Sequence, residues 1–186
     1  MASFEFESFT PSGITIEGPW FTLHYGYSTD QTPCVVLHAH EMYRNHSSLS
    51  NGVDGIAQFL EQPQNPNVAP LTSRKNSAFL YPCDGKTLDE CLRQHGPEPV
   101  SVTATLELMR TLVTILDQTS LAGEEAGIYN HGCLHPTNIL ITKNGGVHLV
   151  GYGLPPVDIF AYLDEATDDI KRTSLQYTPA ERLEGL

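Results

Sequence analysis

His131-Gly132-Cys133-Leu134-His135-Pro136-Thr137-Asn138-Ile139-Leu140-Ile141 is the stretch on which the reading of this chain turns. Its first part is polar loop chemistry. His131, Cys133 and His135 alternate, and Pro136 then fixes φ and removes a backbone donor. Its second part opens an apolar, β-branched run from Asn138 to Thr142. Lys143-Asn144-Gly145-Gly146 separates that run from another, Val147 to Val150. Two such runs across a glycine-containing turn predict a hairpin. A loop rich in chemically active side chains therefore feeds directly into two short strands.

Moving upstream, Ser101 to Thr119 is the clearest helix. Leu106, Met109, Val113 and Leu116 recur at helical spacing, Leu112 broadens the stripe, and this face is expected to be buried. Thr87-x-x-Glu90 fits a capping box and predicts a helix from there to about Arg93. Ile14 to Ile16, Trp20 to Tyr27 and Cys34 to Ala39 read as strands. Val68 to Leu71 and Ser77 to Tyr81 read as two more, across a Ser-Arg-Lys-Asn turn. Between these groups, residues 46–55 look like a Ser/Asn/Gly loop and Val53 to Gln62 a short helix, which Pro63 to Asn67 stops. Residues 1–13 look like a loose leader, and from Gly151 onward the chain reads as loop. Strands first and helices later is an α+β order. It divides into a small β-rich lobe, residues 14–82, and a mainly helical lobe, residues 83–186, joined near Tyr81 to Gly85.

Composition fits a packed protein, with 40% apolar and 17% charged residues. The formal net charge of −12 argues against nucleic acid and anionic membranes, which need Lys and Arg clusters. It favours a protein partner with a basic surface. No apolar run approaches the roughly 18 residues of a membrane span. The N-terminal Met-Ala-Ser-Phe-Glu-Phe-Glu has no basic segment of the kind that opens a secretory signal. Cys34, Cys83, Cys91 and Cys133 lack paired spacing, so a reducing, cytoplasmic setting is expected.

His131 to Asn138 resembles the H-R-D-L-x-P-x-N catalytic loop of the protein kinase family. Other segments carry the resemblance in the same order. Gly151-Tyr152-Gly153 sits where kinases place the D-F-G metal triplet, and Tyr177-Thr178-Pro179-Ala180-Glu181-Arg182-Leu183 is similar to Y-x-A-P-E-x-L. Asn65-Pro66-Asn67-Val68 resembles the H-P-N-I entry to the fourth strand, and Ser77 to Leu88 resembles the fifth strand, hinge and following helix. The resemblance implies a kinase-like α+β fold that stops before the long central helix of the large lobe. The chain then reads as a fragment of a longer domain or a truncated one.

The same resemblance questions the chemistry. Phosphoryl transfer needs cradled phosphates, held metal ions and an oriented hydroxyl. Cys133 replaces the aspartate that orients the hydroxyl, and Gly151 replaces the metal-binding aspartate. In Val35-Val36-Leu37-His38, aligned with V-A-I-K, His38 takes the lysine position. The lysine's glutamate partner is expected near Ile56, where there is no acid. Glu17 to Ser28 holds only Gly18 and Gly26 where a glycine-rich loop is expected, among Trp20, Phe21, Tyr25 and Tyr27. Asn138 alone survives, as a second metal-ligand position.

The leading expectation is thus a catalytically impaired kinase-like domain, a pseudokinase serving as an interaction or allosteric module. No cofactor is expected, and ATP with Mg²⁺ is what the scaffold would take if any. His38, Tyr81, Cys83 and Asn138 are the candidate cleft residues, and the aromatic residues near Gly18 are candidates to fill that cleft. The segment from Leu154 to Thr178 is a candidate partner surface, with Asp164, Glu165, Asp168 and Asp169 either solvated or docking a basic partner. One alternative is a slow Ser/Thr kinase that pairs Asn138 with a carboxylate of that acidic segment. Another is a thiol or metal module built on Cys133, or on His131, Cys133 and His135 as zinc ligands. Against it, Cys133 has no evident activating base and the zinc set lacks a fourth ligand.

Overall fold

In the computed structural model the described residues are 6–18, 21–40, 65–75, 78–123, 131, 134–151, 168 and 172. Strands β1 (Phe9–Glu17), β2 (Phe21–Ser28), β3 (Pro33–Ala39), β4 (Ser73–Lys75) and β5 (Ala78–Pro82) form an antiparallel five-stranded sheet, ordered β1-β2-β3-β5-β4. Strands β6 (Gly85–Thr87), β7 (Ile139–Thr142) and β8 (Val147–Leu149) form an antiparallel three-stranded sheet. Helix α1 (Leu88–His95) follows β6, and α2 (Val102–Gly123) precedes a 3₁₀ turn, Pro136–Asn138, that leads into β7.

The central strand β3 is buried on both faces, which is why it reads as an unbroken apolar run rather than an alternation. Val35, Leu37 and Ala39 face inward and join Leu23, Phe79 and Tyr81. The same core takes in Ile139, Leu140 and Leu149 of the smaller sheet and Leu112 and Ile115 of α2. Cys34 and Val36 face outward, where Phe6, Phe9, Ala78 and Leu80 cover them. Phe6 and Phe9 are therefore anchored, and the expected leader gives way to a strand that starts at Phe9. The register of β1 shifts between Pro11 and Thr15, around Gly13 at φ +85°. An irregularity of this kind breaks the two-residue alternation that would have marked the strand.

Between the sheets, Val68 makes one parallel bridge to Leu149. Ala69 N–H donates to Leu149 O at 2.9 Å, and Leu149 N–H donates to Asn67 O at 2.8 Å. Val68, Ala69 and Leu71 are buried here without forming the predicted strand, whereas Ser73-Arg74-Lys75, expected as a turn, is strand β4. An edge strand borders solvent and keeps polar side chains, so its composition resembles a turn's.

The capping box at α1 forms as its spacing predicts: Glu90 N–H donates to Thr87 Oγ1 at 3.1 Å, and Thr87 N–H donates to Glu90 Oε2 at 3.0 Å. Helix α2 meets the expectation only in part: of the expected stripe, Leu112 is in the core and Leu116 packs against it. Leu112, Ile115 and Thr119 are buried, while Leu106, Met109 and Val113 are 60%, 54% and 61% exposed. The helix carries two overlapping apolar stripes, and Asn65 selects between them. Its Nδ2 donates to Thr119 Oγ1 at 3.1 Å and lies 3.4 Å from Ile115 O. The predicted helix over 53–62 lies outside the described residues, as does most of the chain after Gly151.

This assignment of faces is testable by urea unfolding. Ile115→Ala should cost about 2–5 kcal/mol, the usual range for a buried aliphatic truncation. Leu106→Gln and Val113→Gln should each stay within about 0.5 kcal/mol of the parent. The reverse ranking would place the other stripe in the core.

Candidate functional site

The loop quoted at the outset enters the structure as a self-capped turn. His135 Nδ1 accepts from Thr137 N–H at 3.2 Å and lies 2.9 Å from Thr137 Oγ1. His135 N–H donates to Asn138 Oδ1 at 2.7 Å, and Val150 N–H donates to Asn138 O at 3.1 Å. Asn138 is buried, and the side-chain oxygen that would ligate a cation is engaged by the backbone of its own turn. His131 Nε2 lies 3.0 Å from Val150 O, so that nitrogen carries the proton. Burial pushes both His131 and His135 down to about 4 and keeps them neutral near pH 7.

Tyr81 and Cys83 come together on the inner side of the cleft, within the core that also holds Ile139 and Leu149. Burial raises the Cys83 thiol above its ordinary value, the opposite of what an activated nucleophile requires. His38 does not join them. It pairs with Thr22 and Ala78, on the face opposite to Val35 and Leu37, and its ring lies 6.0 Å from that of His24. Near it, Glu17 Oε2 stands 2.9 Å from Thr22 Oγ1 and 3.5 Å from His40 Nε2. The alignment with V-A-I-K therefore puts His38 on the face opposite to the core residues Val35 and Leu37, since in a strand one residue exchanges the faces. On the cleft side the neighbour of the expected lysine position is Leu37.

Among the described residues, the core between the sheets is apolar. Phe21 is buried edge-on to Phe79, with ring centroids 6.5 Å apart, and Tyr25 packs on the same core. Tyr27 is exposed instead, and Trp20 lies outside the described residues. At the end of β1 the chain rests on the catalytic-loop counterpart. A Cβ added at Gly18 would stand 2.7 Å from Thr137 Oγ1, so only glycine admits that approach. Gly151 is buried at φ +73°, a left-handed conformation that disfavours other residues.

Cys133 lies outside the described residues, and so does the segment from Leu154 to Thr178 except Asp168 and Arg172, which are exposed. Among the described residues no group of three His, Cys, Asp or Glu stands close enough together to hold a metal ion.

Residues that sequence reasoning did not assign also shape the site. Tyr25 OH donates to Glu90 Oε2 at 2.7 Å and accepts from Thr87 N–H at 3.1 Å. The Thr87–Glu90 spacing was a visible signal, but its link to Tyr25 crosses 65 residues and left no local trace.

Solved structures with this arrangement include kinase domains of Mycobacterium tuberculosis. The PknI kinase domain aligns with a TM-score of 0.62 and 11% identity, over 83% of this chain and 63% of its own. A double mutant of the same domain gives a TM-score of 0.66 at 11% identity, over 84% of this chain and 65% of its own. The fold is protein kinase-like. At this identity the likeness concerns the fold alone, and the chain spans less than two thirds of those domains. No protein-family model and no curated protein matches the sequence.

The two enclosed histidines fix a pH dependence. Their folded values lie below the ordinary 6.5, so the unfolded chain binds more protons between about pH 6.5 and 4. Stability is fully present above pH 6.5 and is lost as the pH falls toward 4, on the order of 3 kcal/mol at most for each histidine. The melting temperature should therefore drop across that window. A flat profile from pH 6.5 to 4.5 would show that the rings are not enclosed.

Proposed function

We propose that this chain is a catalytically inert kinase-like module that binds and regulates a protein partner without transferring phosphate. One observation carries the reading: the cleft offers magnesium no free side-chain oxygen at either metal position. Gly151 has none, and the oxygen of Asn138 is held by the His135 amide. Magnesium demands oxygen ligands in near-ideal geometry, and phosphoryl transfer depends on it for charge stabilisation. On this reading the described residues are a poor match for ATP with Mg²⁺. Gly18 rests on Thr137, and apolar side chains line the inner face.

A slow kinase would have to release Asn138 from its turn and recruit a distant carboxylate, and neither step has support here. The net charge of −12 favours a partner with a basic surface, through long-range attraction that speeds encounter. No helix among the described residues is long and apolar enough to cross a membrane. Among the described residues Cys34, Cys83 and Cys91 form no disulfide, and a reducing, cytoplasmic setting is part of this proposal.

Thermal shift with millimolar ATP and Mg²⁺ tests this directly. A site filled a hundredfold above its Kd would add about 2.7 kcal/mol, and no shift is expected. A reproducible shift, or label transferred from γ-labelled ATP to a polypeptide and lost in Asn138→Ala, would overturn the proposal. Restoring one carboxylate should not restore binding. Gly151→Asp is expected to lower stability by about 1–2 kcal/mol, because of its left-handed backbone, and to leave nucleotide binding undetectable by the same assay.

A further inference from the structure

We infer that the β1–β2 hairpin is a strap held over the cleft by Tyr25, and that its release uncovers the inner apolar face. The inference rests on reading the cleft as closed, but its test involves no nucleotide, so the two can fail separately.

Beyond the packing of Ile16, Phe21, Leu23 and Tyr25 on the common core, the hairpin makes two specific contacts with the lower part of the molecule. At its tip, the backbone of Gly18 lies against Thr137. Further along β2, Tyr25 reaches the start of α1, where its hydroxyl donates to Glu90 Oε2 at 2.7 Å and accepts from the Thr87 amide at 3.1 Å. Thr87 is also the last residue of β6, whose pairing with Leu140 of β7 builds it into the smaller sheet. One phenolic oxygen thus ties the outer part of the five-stranded sheet to the three-stranded sheet and to the helix cap. The carboxylate oxygen it meets also accepts from Thr87 N–H at 3.0 Å and lies 3.2 Å from Thr87 Oγ1.

The tie joins elements that are otherwise held differently. Strand β2 is fixed laterally to β1 and β3 by its ladders. Downward, it has the packing of Phe21, Leu23 and Tyr25 on the core and the hydroxyl contact. Packing is non-directional and tolerates small displacement, whereas a hydrogen bond to a charged acceptor fails over a fraction of an ångström. Tyr25 is therefore the group that sets the hairpin's height above Cys83 and Ile139. Burial and the neighbouring Glu90 carboxylate both hold its hydroxyl in the protonated form, which keeps the donor in place across ordinary pH.

Cys83 reports on the strap. It is buried in the same core against which Tyr25 packs, while Cys34 is buried in the separate outer cluster. The test measures N-ethylmaleimide labelling of both thiols by peptide mass spectrometry in the full chain, with Cys34 as internal reference. Tyr25→Phe keeps the ring and removes the hydroxyl. It should raise labelling at Cys83 about tenfold to a hundredfold, the equivalent of a hydrogen bond to a charged group, with Cys34 unchanged. Glu90→Ala should do the same, and the double variant should add little more. Equal acceleration at both thiols would mean general destabilisation, and no acceleration at Cys83 would mean packing alone holds the hairpin. Either result overturns the strap.

Discussion

The contact that everything else depends on is apolar: one core runs without interruption from the five-stranded sheet into the three-stranded sheet. Leu23, Val35, Leu37, Phe79 and Tyr81 from above meet Ile139, Leu140 and Leu149 from below, with α2 closing one side through Leu112 and Ile115. Each buried aliphatic or aromatic side chain of this kind is worth about 1.5–3 kcal/mol. Separating the sheets enough to admit a ligand would re-expose several. A ligand with micromolar intrinsic affinity supplies only about 8 kcal/mol. Uncovering three or four such side chains would consume most of that. On the proposed reading, the arrangement that makes the two sheets one folded unit also disfavours an occupied cleft.

The catalytic-loop counterpart has turned inward in the same sense. In this chain Asn138 completes a turn, His135 caps it, and His131 reaches Val150. All of these side chains are buried and engaged with nearby backbone or hydroxyl groups. A loop can lose its chemistry and keep its sequence pattern when the pattern also satisfies buried backbone groups. The proposed reading separates fold from function at this point, since activity belongs to sites and not to scaffolds.

How much of this was legible depends on the range over which each interaction acts. The capping box at Thr87 and Glu90 spans three residues and could be read directly. The β7–β8 hairpin, with its glycine-containing turn, was equally local. Strand β1 was hidden by its irregularity at Gly13, and β4 by the polarity that suits a sheet edge. His38 was assigned to the cleft by a motif alignment that its strand register contradicts, because Val35 and Leu37 take the inner face. On α2 the apolar residues form two candidate stripes, and the choice between them is made by Asn65, more than fifty residues away from Thr119. The Tyr25–Glu90 contact left no sequence signal at all.

Charge and packing point the same way about what can approach the cleft. A nucleoside triphosphate is a polyanion, and a chain with 22 acidic against 10 basic side chains repels it at long range. Active phosphotransferases of this fold overcome such repulsion locally, with a lysine and metal ions at the phosphates. The inner face here presents Leu37 beside the expected lysine position, and His38 is turned to the other side of the sheet among His24, Thr22 and Glu17. Of the basic side chains, Lys75 is paired with Glu7 at 2.9 Å and Arg93 with Asp89 at 2.8 Å, both outside the inner core. A triphosphate would meet an acidic exterior and then an apolar interior. On the proposed reading, a basic protein surface would be drawn to that exterior and would have no need of the interior.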